Sequence, residues 1–389
     1  MSAKSTIEAT DLYTAPNYAR YRVAFVRGEG RRLWDESGKV YLDMLAGLGV
    51  ASLGYGYPSL VEAICDQAGR LLHTSNLYYH QPGAELAARL VELSFADRVF
   101  FANSGTEANE AAIKMARRRG GGRYEVVSAL RSFHGRTLGA LAATGQPQLQ
   151  EGCGPMPPGF RHVPYGDAGA LAEAVGEQTA AVLVEPILGE SGVIVPGPGY
   201  LRAVREICDR AGALMIVDEV QTGIGRTGRL FAHELEGVRP DICTVAKGLG
   251  GGLPIGAVLA TEEAASALTP GSHGSTFGAN LVCCRAALAV LAALYDDGVL
   301  ENAERAGAYL GERLERLAAA RDDVVEARGV GLMRALELNR PAKPVVERAL
   351  ELGLIVNATA GTVVRMLPPL TITREEIDEG VELLERALG

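Results

Sequence analysis

The chain has 389 residues, enough for two hydrophobic cores, and its 48% hydrophobic, 22% charged composition is that of an ordinary globular protein. Its net charge of −9 repels phosphate backbones and argues against nucleic-acid binding, and no apolar run approaches the ~18 residues of a membrane span. Six cysteines without a CxxC pair point to no metal site and no redox motif.

The opening MSAKSTIEATDLY holds no apolar signal core, so a cytoplasmic, reducing location is the default expectation. The first 45 residues, with GRRLWDESGKVYLDML, read as a hairpin. Strands and helices then alternate. Residues 97–103 predict a short apolar strand, 105–119 an amphipathic helix and 124–129 a strand. Residues 180–185 predict another strand, 199–211 a helix, and 213–218, 241–246 and 255–260 further strands. Arg117, Arg118 and Arg119 end the first helical pattern and suit a helix C-terminus. Continuous apolar strands separated by helices indicate a mostly parallel α/β sheet buried on both faces. From about 280 to 320 the pattern turns helical, followed by short strands near 331–338 and 362–367 and a helix near 374–388. This predicts a large domain over 50–285, a small α+β domain over 286–389, and an N-terminal segment, 1–49, packing with the small one.

Ligands of parallel sheets bind at the carboxyl ends of strands. Asp218 closes the strand ALMIVD, and Lys247 follows the strand DICTVA one unit later. Alone, the two could form a structural salt bridge. Residues 102–110, ANSGTEANE, form a strand-to-helix turn in which Ser104 and Glu107 have capping-box spacing. Gly105 allows close backbone approach, and the helix N-terminus offers free N–H groups to an anion, although a capped helix without a ligand fits equally well. No GxxxxGK[ST] phosphate loop occurs. Together the three parts suit pyridoxal phosphate. That cofactor needs a lysine for its aldehyde, a carboxylate for its ring nitrogen and a cradle for its phosphate.

Seven motifs occur in order: NSGTEANEAAIK at 103–114, SFHGRT at 132–137, EPILGE at 185–190, VDEVQTGIGRTG at 217–228, AKGLGGGLPIGA at 246–257, GSTFGAN at 274–280 and RMLPPL at 365–370. On these the chain resembles the class III (subgroup II) pyridoxal-phosphate aminotransferases of fold type I, most closely their acetylornithine branch. The resemblance implies a large domain with a mostly parallel seven-stranded sheet. It implies that Lys247 forms the Schiff base and that Asp218 pairs with the pyridine nitrogen. Ser104, Gly105 and Thr106 would hold the phosphate, joined by Thr276 from the other subunit of a homodimer. Phe133 and Val220 would pack on the two ring faces, and Gln221 would touch the ring oxygen. Arg136, helped by Tyr18, would take the α-carboxylate of an ornithine-type donor, and Arg365 that of glutamate. Glu190 would cover Arg365 while the ω-amine is bound, and Ser275 would contact substrate.

The implied reaction joins N2-acetyl-L-ornithine and 2-oxoglutarate to give N-acetyl-L-glutamate 5-semialdehyde and L-glutamate. Sister reactions on succinylornithine, succinyldiaminopimelate, 4-aminobutyrate or a carrier-bound lysine precursor are alternatives, as are decarboxylation and aminomutation on the same fold. Leu48 stands where ornithine aminotransferases carry a tyrosine for the free α-amino group, which favours an N-acylated donor. Leu188, Ala279 and Leu281 depart from the usual EPIQGE and FGGNP patterns.

Overall fold

A computed structural model describes residues 5–389. Its centre is a seven-stranded sheet of β1 (Arg98–Ala102), β2 (Glu125–Ala129), β3 (Phe160–Val163), β4 (Thr179–Val184), β5 (Leu214–Asp218), β6 (Ile242–Val245) and β7 (Gly256–Ala260). The spatial order is β1-β7-β6-β5-β4-β2-β3. Only β7 runs against its neighbours, β1 and β6. The expected mostly parallel α/β sheet is therefore present. The strand β3 was not foreseen, because the edge strand FRHV has only one buried residue and no apolar run.

Alternate residues of each central strand feed opposite cores. Val126, Ile216 and Ile242 pack under α1 (Gly105–Arg119), whose Ala108, Ala111 and Ala112 are small enough for close approach. Val127, Val182, Met215 and Val217 pack under α2 (Tyr200–Ala211) through Leu201, Val204 and Ile207. Burial on both faces is why these strands read as unbroken apolar runs. The carboxyl ends of β1, β4, β5 and β6 and the start of β7 share one edge of the sheet.

The helical stretch near 280–320 is two helices, Leu281–Tyr295 and Val299–Ala319, separated at Gly298 with φ +71°. Beyond them lies an antiparallel four-stranded sheet in the order Val324–Val330, Met333–Leu338, Val363–Met366, Asn357–Thr359. Another four-stranded sheet holds the N-terminal strands Phe25–Glu29, Arg32–Asp35 and Val40–Asp43. It is completed by Leu354–Ile355, parallel to Leu42–Asp43. Among the described residues no helix is long and apolar enough to cross a membrane, and no His/Cys/Asp/Glu group could hold a metal ion.

Candidate active site

A cavity of about 480 Å³ opens at the carboxyl edge of the central sheet. Asp218 and Lys247 both line it, brought there by the ends of adjacent strands β5 and β6. Asp218 is buried. Its Oδ2 accepts from Asn109 Nδ2 at 2.7 Å and lies 2.8 Å from His134 Nδ1, and its Oδ1 accepts from Val220 N at 3.0 Å. Asn109 is itself fixed, donating to His134 O and accepting from Thr244 Oγ1, both at 2.7 Å. These bonds hold the carboxylate in one orientation toward the cavity.

Lys247 sits in a tight turn with φ +40°, an uncommon conformation for a residue with a side chain and one that recurs at functional sites. Burial pulls its ammonium pKa down. Glu190, Asp218 and Glu185 oppose that shift, and Arg365 adds to it. The resulting amine gives up its proton more readily than an exposed lysine does.

The N-terminus of α1 forms a second wall. Ser104 caps the helix by accepting from Glu107 N at 3.3 Å. The reciprocal bond of the expected capping box is displaced by one residue. The Glu107 carboxylate accepts from Asn103 N and Nδ2 instead, at 2.6 and 2.9 Å, because Asn103 also turns inward to donate to Ser275 Oγ. Space here excludes side chains. A Cβ on Gly105 would lie 2.7 Å from Val220 Cγ1, and one on Gly135 2.2 Å from Thr106 Oγ1. The Thr106 hydroxyl meets Thr137 Oγ1 and accepts from the backbone of Arg136 and Thr137, which ties the 132–137 loop to the helix start.

Arg365 lies at the third wall, 1% exposed and among the largest fully buried side chains. Its Nη1 donates to Glu190 Oε1 at 2.8 Å, Gly189 O at 3.0 Å and Gln221 Oε1 at 3.2 Å, and its Nε donates to Asn357 Oδ1 at 3.0 Å. Burial pushes the Glu190 carboxyl upward. Arg365 and Lys247 outweigh it, and Glu190 is held below the usual glutamate range. The Glu190 carboxylate thus covers a buried guanidinium close enough to Lys247 to feel its charge.

Phe133, Val220, Gln221 and Arg136 also line the cavity, with the Arg136 guanidinium 5.6 Å from the Phe133 ring centroid. Ser275 and Thr276 do not. They border an adjoining hollow with Glu107, Glu110 and Thr137, and Thr276 is exposed. Tyr18 is exposed beneath the Arg20 guanidinium and does not line the cavity. Leu48 is exposed with φ +67°, within a left-handed run from Ala46 to Gly49 that leads to the cavity-lining Val50.

Three polar residues of the site carry no role in the sequence reading. Asn109 and His134 orient Asp218. Glu185 is buried at the end of β4 and accepts from Phe133 N at 2.8 Å and Gly189 N at 3.3 Å. Burial pushes its carboxyl up to about 7, against His134 and with the help of Asp218. Asn109 was readable as the residue one turn beyond Gly105, and Glu185 as a strand-end acid like Asp218.

The donor set fits pyridoxal phosphate. The cavity offers a buried lysine amine whose pKa is drawn down by burial, an oriented carboxylate and a helix N-terminus whose glycine leaves the N–H groups unshielded. His134 Nε2, buried beside Asp218, has no hydrogen-bond partner among the described residues.

The family model for class III aminotransferases matches residues 13–388. The chain is 49% identical over 389 residues, all of both chains, to the acetylornithine aminotransferase of Methanothermobacter thermautotrophicus. Its fold matches the ornithine aminotransferase of Toxoplasma gondii in a structure with partial occupancy of pyridoxal phosphate at the active site. That match has a TM-score of 0.94 at 36% identity and covers 98% of this chain and 93% of the other. The acetylornithine aminotransferase of Elizabethkingia anophelis superposes with a TM-score of 0.88 at 34% identity, covering 98% and 97%. Near-complete coverage, together with a strand-end lysine and acid facing a helix N-terminus, makes this chain a member of the class III aminotransferases.

Proposed function

We propose that the protein is a pyridoxal-phosphate-dependent aminotransferase that converts N2-acetyl-L-ornithine and 2-oxoglutarate to N-acetyl-L-glutamate 5-semialdehyde and L-glutamate. The observation that carries this reading is the 2.8 Å pair between Glu190 and the buried Arg365 at the cavity wall. A decarboxylase or aminomutase has no need of a removable cover on a carboxylate-binding arginine. An enzyme that takes an ω-amine and glutamate in turn does.

Bound pyridoxal phosphate supplies an electron sink for the bond broken at the amine-bearing carbon. Lys247 would hold the cofactor, and its freed Nζ would carry a proton from the amine-bearing carbon to the carbon derived from the cofactor's aldehyde, two atoms away. Asp218 keeps a proton on the ring nitrogen, helped by Asn109 and His134. Ser104, Gly105 and Thr106 receive the phosphate, Phe133 and Val220 flank the ring, and Gln221 reaches its oxygen. Arg136 takes the α-carboxylate of the donor. Glu190 neutralises Arg365 in that half-reaction. It swings away in the other, so that the planar guanidinium grips the α-carboxylate of glutamate through two parallel hydrogen bonds. The apolar Leu48 suits an acylated rather than a free α-amino group.

A homodimer completes the reading. The exposed Leu71, Leu72, Leu77, Tyr78, Tyr79 and Phe277 lie together with the Thr276 loop, since Asn76 donates to Ser275 O and Gly278 O. Thr276 is the residue offered to the partner's phosphate. Six free cysteines support a reducing, cytoplasmic setting.

The test is a donor panel. The holoenzyme's cofactor absorbance is followed with N2-acetylornithine, ornithine, 4-aminobutyrate and N-succinylornithine. N2-acetylornithine gives the highest kcat/KM, and a faster reaction with free ornithine refutes the assignment. Borohydride reduction should fix the cofactor to Lys247, and covalent retention by Lys247→Ala would overturn the central role of that residue.

A further inference from the structure

Glu190 sits on a loop, residues 189–193, closed at its base by mutual backbone hydrogen bonds between Leu188 and Ile194 at 3.0 Å. The C-terminal four-stranded sheet faces this loop. Its register aligns Arg328 with Ala335, Ala335 with Arg365, and Arg365 with Asn357. Directly paired residues share a face of the sheet. Arg328 and Arg365 therefore point the same way from strands about 10 Å apart.

Both arginines hold the loop. Arg365 donates to Gly189 O. Arg328 donates from Nε to Gly192 O at 2.9 Å and Val193 O at 3.2 Å, and from Nη2 to Gly192 O at 2.8 Å. Thr359, on the strand that carries Asn357, donates to Glu190 O. The sheet thus grips carbonyls on both sides of Glu190. Arg328 is in turn fixed by Glu326 at 2.8 Å and by Glu337. On its other side the loop touches Arg131, which donates to Ser191 O at 3.0 Å.

The grip opposes strain. Val193 is buried and has φ +56°, a conformation that is a genuine outlier for a β-branched residue. Left free, this residue relaxes toward negative φ and carries the loop with it. The carbonyl of Val193 is one that Arg328 holds.

We propose that Arg328 is a positioning residue that locks the strained 189–193 loop with Glu190 on Arg365, and so sets the balance between the ω-amine donor and glutamate. The proposal rests on the reading of Glu190–Arg365 as the dual-substrate switch. In the locked loop Glu190 exchanges by side-chain rotation on a fixed backbone. Without Arg328 the loop relaxes, Glu190 leaves Arg365, and the uncovered guanidinium favours dicarboxylates.

The experiment measures the two half-reactions separately, from the cofactor absorbance of the holoenzyme with N2-acetylornithine and with L-glutamate. Glutarate affinity is measured alongside by calorimetry. Arg328→Met should shift the kcat/KM ratio toward L-glutamate about fivefold or more and tighten glutarate binding. Adding Val193→Gly, which removes the strain, should bring the ratio back to within about twofold of the parent. Arg328→Lys, which keeps the charge but loses the fork, should shift the ratio in the same direction and serves if the methionine variant does not fold. Two results overturn the proposal: an unchanged ratio in the Arg328 variants while Glu190→Gln shifts it, or an equal fall of both half-reactions. If Glu190→Gln itself leaves the ratio unchanged, the switch reading has failed and the positioning role falls with it.

Discussion

Replacing Gly105 by alanine tests whether the start of α1 is the phosphate cradle. The added methyl would stand 2.7 Å from Val220 Cγ1 and 2.9 Å from Cγ2, where ordinary carbon contacts are about 3.5–4.0 Å. Val220 cannot turn away cheaply, because β-branched side chains are stiff at χ1. Moving its backbone instead disturbs the 3.0 Å bond from Val220 N to Asp218. Overpacking of this kind costs about 1–3 kcal/mol. The empty site can relieve part of the strain by shifting the turn, whereas cofactor binding needs the turn in place. The loss therefore falls mainly on pyridoxal phosphate affinity, an increase in Kd of about 5- to 150-fold. Titration of apoprotein with pyridoxal phosphate, read by absorbance, measures it. Val220→Ala removes both clashing methyls, so adding Gly105→Ala to it should cost little beyond the loss from Val220→Ala alone. Wild-type affinity in Gly105→Ala, or a double variant as much weaker than Val220→Ala as Gly105→Ala is than wild type, would refute the steric account.

Three further outcomes are expected. Arg365→Met should lower kcat/KM for L-glutamate about a hundredfold while affecting N2-acetylornithine much less, because two charge-assisted hydrogen bonds to the carboxylate are lost; equal losses would refute this. Glu185 has a folded-state pKa raised to about 7 from 4.5, so its ionisation destabilises the fold as pH rises through that interval, and the penalty is absent below it. The apoprotein melting temperature of Glu185→Gln relative to wild type should therefore climb between pH 5 and pH 8, whatever its constant offset, and a gap independent of pH would contradict the assignment. Arg226 is fully buried and donates to Leu332 O and Pro368 O, joining the loop after β5 to the C-terminal region; Arg226→Met should cost about 3 kcal/mol in denaturant unfolding, and a loss below about 1 kcal/mol would show those carbonyls to be satisfied otherwise.

The parts of the site legible in the sequence lie close to their own signals. Asp218 and Lys247 end apolar strands buried on both faces, and Ser104–Thr106 start an amphipathic helix, so period and punctuation locate them. The Arg365–Glu190 contact spans 175 positions and depends on a C-terminal sheet whose strand Asn357–Thr359 is three half-buried residues without an apolar signal. Only the resemblance to a family supplied that pair. Of the register that aligns Arg328 with Arg365, only the first half is local: the two-residue turn at Gly331–Leu332 pairs Arg328 with Ala335, whereas Ala335 meets Arg365 across some thirty residues.

That register also bears on how the proposed switch would uncover a buried charge once per turnover. Stripping the partner from a buried guanidinium is ordinarily prohibitive. Arg365, however, keeps Gly189 O, Gln221 Oε1 and Asn357 Oδ1 when Glu190 leaves, and the partner that leaves is 31% exposed and so returns to water at modest cost. An incoming carboxylate then replaces one anionic acceptor by another with little net change in charge. The exchange therefore relies on neutral acceptors that stay where they are, and two of them, Gln221 and Asn357, lie outside the 189–193 loop and remain even when that loop shifts.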